Sequence, residues 1–407
     1  MSAALRIGAV GFGLIAVCYG FARFAFGLFL PQIREDLALS SSLAGVISGG
    51  AFAAYCVAII GSARLSERLG ARTVAVMAAA VAALGMLGIA LCASPAWLAV
   101  FVILAGTSTG LASPPMADAV AHAVAPARRD LTNTVINAGT SAGVCLSGPF
   151  ALALGDDWRL VFTLFAGVAM GLGVAAFVCL PAGRTRERRG HRVQRPALGA
   201  NLIRLIGASF LMGASSTALW SFGGEIAHIR LGWSTGQIGL LWIAIGSAGV
   251  LGAAAGWLTA RFGINTVHRV FLAALALGIA LAGLGFTTPR LTLVGGALFG
   301  AAYVMLTGVY LVWGTTALPE RPGTGLMIGF LTVAVGQTAG APVFGLLLSH
   351  SSLATAVLVF ATLGPAAGLF WFKADDGTGT VDRPDTGRRP VGPSTYRQTA
   401  TLSHERA

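Results

Sequence analysis

Two short segments of this chain, ARLSERLGAR at Ala63–Arg72 and GWLTARFGIN at Gly256–Asn265, follow one pattern at a spacing of 193 residues. Leu65 pairs with Leu258, Arg68 with Arg261 and Gly70 with Gly263. The same offset carries Ser41 onto Ser234, Gly143 onto Gly336 and Pro149 onto Pro342. One constant shift through separate landmarks means that one half of the chain repeats the other in the same orientation. Any fold proposed for it must be built from two parallel copies.

Composition says which solvent surrounds those copies. Of 407 residues, 56% are hydrophobic and 10% charged, with a mean hydropathy of +0.79. Soluble domains carry about 25% charged residues, so lipid must cover what polar surface cannot. Twelve apolar stretches approach the ~20 residues needed to cross a bilayer: 7–30, 42–62, 73–93, 97–123, 131–154, 159–181, 201–223, 235–258, 268–287, 291–314, 324–348 and 352–372. Pro31, Pro95, Pro126, Pro181, Pro289, Pro319 and Pro322 punctuate the connections. Ser41 and Ser234 are expected N-caps of the second and eighth spans.

The net charge of +12 is spent on topology, not on nucleic acid. One set of connections holds Arg64, Arg68, Arg72, Arg128, Arg129, Arg261, Arg269, Arg321 and the run Arg184–Arg195; the other holds Arg34, Arg159, Arg230 and Arg290. The positive-inside rule then places both termini in the cytoplasm of a multi-pass inner-membrane protein. The expected organisation is a six-helix bundle over 1–183, a basic linker over 184–200, a second bundle over 201–373 and a disordered tail over 374–407. The five cysteines all lie in apolar stretches without a CxxC pair, which gives no sign of a metal or redox site. The first apolar run is too long for a signal-peptide core and is expected to stay as a membrane helix.

Parallel halves in an all-α membrane chain are a mark of secondary transporters, with the solute site between the halves. The two repeated turns resemble the signature loop of the major facilitator superfamily, G-x-L-x-D-R-x-G-R-R/K. Ala63 replaces its first Gly and Glu67 its Asp, while Leu65, Arg68, Gly70 and Arg72 are kept. The second copy keeps Gly256, Leu258, Arg261 and Gly263, with Ala260 at the acidic position. GTSAGVCLSGP in the fifth span is similar to the Gly-and-Pro motif of antiporters of that superfamily. The opening YGFARFAFGLFLPQIREDL resembles the bacterial YbfB/YjiJ-type permeases. The resemblance implies a twelve-helix fold of two pseudo-symmetric bundles that works as a monomer. In it, Glu67, Arg68, Gly70, Arg72, Arg261 and Gly263 act as gating loops, and the first, fourth, seventh and tenth spans line the cavity.

Ionisable groups inside spans are costly and mark function. Arg23, with Tyr19 one turn before it, is the sharpest, and guanidinium suits a carboxylate or phosphate. Its alternative is snorkelling to an interface. The 193-residue shift brings Ser216 opposite Arg23, with Trp220 one turn on. Ser108 and Ser113 come from the fourth span, which Pro114-Pro115 is expected to break. Asn137 comes from the fifth, Tyr303, Thr307 and Tyr310 share a face of the tenth, and Gln337 is the polar group of the eleventh. Together they describe a moderately polar cavity with aromatic walls; each alone could merely bridge helices. Asp118 and His122, at i and i+4, either relay protons or pair structurally with Arg68 or Arg72. Glu225, near His228, is a second proton-coupling candidate or an interfacial group.

No Walker motif, catalytic triad or zinc spacing is present. The chain is expected to be no enzyme and to need no cofactor beyond a proton gradient. The function expected is alternating-access transport of a small anionic or neutral polar solute, with proton-coupled efflux favoured over uptake by symport. A membrane sensor would need a folded signalling domain, and the tail is too short for one.

Overall fold

The computed structural model describes residues 2–182 and 199–373; the basic run Arg184–Arg195 and the tail from 374 lie outside the described residues. It is 88% helical, with no strand among the described residues. Among the described residues, eleven helices are long and apolar enough to span a membrane: Ala3–Asp36, Ser41–Leu69, Ala71–Leu91, Pro95–Ala123, Pro126–Leu154, Trp158–Cys179, Ala200–Trp220, Thr235–Phe262, Ile264–Gly283, Pro289–Ala317 and Pro322–His350. The shorter apolar helix Leu353–Ala367 is the twelfth. A short helix, Gly223–Leu231, sits between the seventh and eighth spans.

Local chemistry accounts for the ends. Pro95, Pro126, Pro289 and Pro322 each open a helix, where a missing N–H costs nothing. Ser234 caps the eighth span in a full capping box with Gln237. The second span differs from expectation by one residue. Its cap is Ser40, extended at φ −70°, ψ 154°, with its side chain accepting from the Leu43 N–H; Ser41 is the first helical residue.

Three prolines expected to end or break helices lie inside them. Pro31 lies within a first span that runs on to Asp36. Pro114 and Pro115 lie within an unbroken fourth span. Pro115 removes the N–H that would have served the Leu111 carbonyl four residues back, and the Ser62 hydroxyl of the second span donates to that carbonyl instead at 3.1 Å.

The repeat is written into backbone geometry. Gly70 has φ 85°, ψ 153° and Gly263 has φ 81°, ψ 152°; in each the N–H donates to the carbonyl four residues back at 2.9 Å. Only glycine adopts this conformation without strain. Gly143 and Gly336 match as well: a Cβ there would lie 2.1 Å from the Ala16 carbonyl oxygen of the first span and the Phe210 carbonyl oxygen of the seventh. The second span is regular α-helix over Ser41–Leu69, whereas the eighth, Thr235–Phe262, includes a 3₁₀ stretch at Val250–Ala254.

The halves meet along two seams, the second span against the eleventh and the fifth against the eighth. Backbones touch through glycine at both: Gly45 on Ala341, Gly345 on Ser41, Gly148 on Gly239. These contacts cluster toward the Arg-poor end. There the Ala25–Asp36 part of the first span also packs on Gly223–Leu231 and the eighth span. The Ala3–Ile15 part packs on the fourth, fifth and sixth spans of its own half. The Arg-poor end is thus sealed by contacts between the halves.

Candidate functional site

The first span changes hydrogen-bond register where it passes between the halves. Ala16–Phe24 is π-helical, and Arg23 lies in its last turn. Two glycines let the first and fifth backbones touch there; a Cβ on Gly20 would lie 2.2 Å from the Gly143 carbonyl carbon. Thr109 of the fourth span donates to the Cys18 carbonyl at 2.9 Å, supplying a donor where the wider turn disturbs the ladder. π-Helical segments recur at functional positions because they re-aim side chains.

The guanidinium so aimed is buried among protein groups. Its Nη2 donates to Gln337 Oε1 at 2.6 Å, bridging first and eleventh spans across the two halves. Gln337 Nε2 donates onward to the Ser216 and Tyr303 hydroxyls, each at 3.2 Å. Four aromatic rings surround the cation: Tyr55 at 4.5 Å, Phe52 at 4.8 Å, Phe24 at 5.1 Å and Tyr19 at 5.7 Å. Tyr19 in turn hydrogen-bonds Ser113 at 3.0 Å. Trp220 stacks on Phe24, centroids 4.0 Å apart, and meets Tyr303 edge-on at 5.2 Å. Arg23, Tyr19, Ser113, Ser216, Trp220, Tyr303 and Gln337 therefore form one cluster. No ion pair to Arg23 occurs among the described residues.

The other candidates stand apart from it. The Ser108 hydroxyl donates to Ala105 O at 2.6 Å, and that of Thr307 to Val304 O at 2.7 Å; both turn back on their own helices. The Tyr310 hydroxyl donates to Ala208 O at 3.2 Å and lies 3.1 Å from His268, so it ties the seventh, ninth and tenth spans together. Helical spacing put it on the face of Tyr303, but seven residues carry it nearly two turns toward the Arg-rich end. Asn137 is exposed, one turn before Ser141, which packs on Gly246 and Gly249 of the eighth span.

Phe52 and Tyr55 were not singled out in the sequence, and a signal for them exists. In antiparallel neighbours, residues equidistant from their connection lie level. Arg23 is 13 residues before Asp36 and Tyr55 is 14 after Ser41, so the pair shares a depth. Phe24 carried no comparable mark.

At the Arg-rich end, Asp118 pairs with His122 at 3.2 Å. Arg72 donates to the Leu180 carbonyl at 2.7 Å and lies over Phe177. Glu67 and Arg68 are exposed. At the sealed end, Arg34 forms an ion pair with buried Glu225 across the halves, and Trp158 and Arg159 both approach Asp36. The Arg34–Glu225 pair accounts for Glu225 better than an interfacial position does.

Burial pushes the Glu225 carboxyl above the usual carboxylate range, against the opposing pull of Arg34 and His228. Opening that end returns the carboxyl to water and its ordinary value. The sealed state then binds the proton more tightly, so acidification through the window just above the ordinary carboxylate range raises the sealed population, and rising pH lowers it. Spin labels placed across the sealed end should report this slope. Glu225→Gln should flatten it; an unchanged slope in that variant would remove Glu225 as its source.

A sequence profile of the Major Facilitator Superfamily matches residues 12–334. The chain belongs to the Major Facilitator Superfamily. Solved structures agree on the fold. The xylose transporter XylE from E. coli, in its inward-open conformation, is similar at TM-score 0.74 and 16% identity over 92% of this chain and 98% of that one. The nucleoside transporter NupG matches at TM-score 0.71 and 12% identity, over 91% and 98%. A bacterial homologue of the human lysosomal transporter Spinster, inward-facing and occupied, matches at 0.66 and 17%, over 90% and 93%. Among curated proteins, the tetracenomycin C resistance and export protein of Streptomyces glaucescens is 26% identical over 199 residues, 47% of this chain. The chain spans about a third of that relative's length, 36%. This member of the superfamily is a multi-pass membrane protein.

Proposed function

We propose that this transporter moves a small anionic or neutral polar organic solute out of the cell across the inner membrane, by alternating access driven by the proton gradient, as a functional monomer. The observation that carries the reading is Arg23: a guanidinium buried between the halves, with no carboxylate partner among the described residues and one hydrogen bond to Gln337. A solute carboxylate or phosphate supplies the missing charge, and the surrounding rings supply flat apolar walls. Efflux is supported by the likeness to an export protein and by the antiporter-like fifth span. The proton sites proposed are Glu225 at one end and the Asp118–His122 pair at the other. Counterflow into proteoliposomes against a panel of labelled organic acids tests the solute class. Exchange of cationic solutes only, with no acid or neutral polar solute among them, would defeat it.

The Arg-rich end is proposed to be cytoplasmic, with both termini, the linker over 184–200 and the tail over 374–407 on that side. The two bundles, 1–183 and 201–373, are its moving parts. The single-cysteine variant Gly190→Cys, in a background lacking the native cysteines, should resist membrane-impermeant maleimide in intact cells and react after lysis. Ready labelling in intact cells would invert the topology.

A further inference from the structure

On the sealed side of the Arg23 layer lies a small internal cavity lined by Arg23, Phe26, Gly27, Ser48, Ala51, Phe52, Val102, Trp220 and Ser221. It offers about 10 Å³ to the centre of a water-sized guest, which is room for one atom-sized occupant and for no organic solute. Backbone contacts close it outward: a Cβ on Gly27 would lie 2.2 Å from the Trp220 carbonyl oxygen, and one on Gly224 2.5 Å from the Gly27 carbonyl oxygen.

Four of the lining residues carry a buried side-chain polar atom without a hydrogen-bond partner: Arg23 Nε, Ser48 Oγ, Trp220 Nε1 and Ser221 Oγ. Their residues are 8%, 5%, 3% and 2% exposed. Orphaned buried polar atoms are rare and costly, so four around one cavity are a built environment. All four can donate. Arg Nε–H and Trp Nε1–H can do nothing else, and the serine hydroxyls rotate to suit. The guanidinium itself faces Gln337 and four rings, and no carboxylate among the described residues neutralises it. A buried charge without a counter-charge is unfavourable.

We propose that this cavity is a binding site for a single monatomic anion of the halide class, chloride in the cell, held by Arg23, Trp220, Ser48 and Ser221 as counter-ion to Arg23. A neutral water satisfies the same hydrogen bonds but leaves the charge, and this decides for the anion. The site shares Arg23 and Trp220 with the candidate solute cluster and supplies the counter-charge in the solute-free protein, where an anionic solute would displace the halide; Ser48 and Ser221 belong to it alone.

The test uses the purified full-length protein in nanodiscs, without organic solute, so its outcome is independent of the transport reading. Thermal unfolding is followed while sodium chloride replaces sodium gluconate at constant ionic strength. Chloride and bromide should raise Tm saturably, and sulfate, too large to enter, should match gluconate. Ser48→Ala and Ser221→Ala should each raise the half-saturating chloride concentration roughly tenfold, the loss of one hydrogen bond to a charge. A crystal soaked in bromide should show an anomalous peak between Arg23 and Ser221, which keeps the idea testable if either variant fails to fold. Equal Tm in chloride and gluconate, a chloride response unchanged in both serine variants, or a bromide-soaked crystal with no peak in the cavity would each overturn the site and leave water as its occupant.

Discussion

Replacing Arg23 with glutamine lowers affinity for an anionic solute about 30- to 150-fold, the equivalent of about 2–3 kcal/mol for a hydrogen bond to a charged group in a buried site. Glutamine keeps a donor but removes the charge, and it leaves the aromatic cage around a neutral group. Arg23→Lys keeps the charge and loses the planar fork, so affinity falls less and some transport remains. The check is equilibrium binding to purified wild type and both variants, each shown to be folded. Because Arg23 bridges to Gln337 across the halves, the same substitutions loosen the contact between bundles. Binding and conformational distribution must therefore be measured side by side. Three equal affinities would take Arg23 out of the solute site and with it the argument for an anion.

Gly148→Leu drives the protein away from the sealed state. Gly148 and Gly239 meet backbone to backbone at the fifth–eighth seam, and a Cβ on Gly148 would lie 2.4 Å from the Gly239 carbonyl oxygen. Neither helix can retreat without losing the seam. Inserting a side chain into close-packed surroundings costs roughly 1–3 kcal/mol where neighbours can move, and more where the obstacle is backbone. An opening of the seam by that amount raises the open-to-sealed ratio about 5- to 150-fold. Spin-label distances across the Arg-poor end should lengthen in the variant, while Gly167→Leu, where a Cβ would meet nothing within 4 Å, should leave them unchanged. Unaltered distances in Gly148→Leu would mean that the contact does not hold the halves together.

The fold was legible because its causes are periodic and long-range in sequence: apolar runs of bilayer length, one 193-residue offset, and glycine where two backbones need it. Gly70 and Gly263 carried the repeat as letters and carry it again as matching dihedrals. The site was legible only where a residue was costly in its setting. Arg23 in a membrane span is such a residue, and so is Gln337. Tyr310 misled because sharing a helical face says nothing of depth, and Ser108 because a hydroxyl in a helix can be satisfied by its own backbone. Phe52 and Tyr55 stayed hidden because aromatic side chains in apolar spans are ordinary, and only their depth opposite Arg23 sets them apart. Pro115 was misread because the donor that rescues its helix, Ser62, belongs to another one.

The 3₁₀ stretch at Val250–Ala254 makes the two halves unequal machines. A second span of regular α-helix transmits a push along its whole length. The eighth span holds a tighter, more poorly bonded turn next to Gly249 and Gly252, where Ser141 and Val304 press on it. Bending concentrates there, so the eighth span acts as a jointed lever while its counterpart acts as a rod. The rocking motion proposed above would then be asymmetric, the fifth–eighth seam parting by flexing and the second–eleventh seam by rolling as a unit.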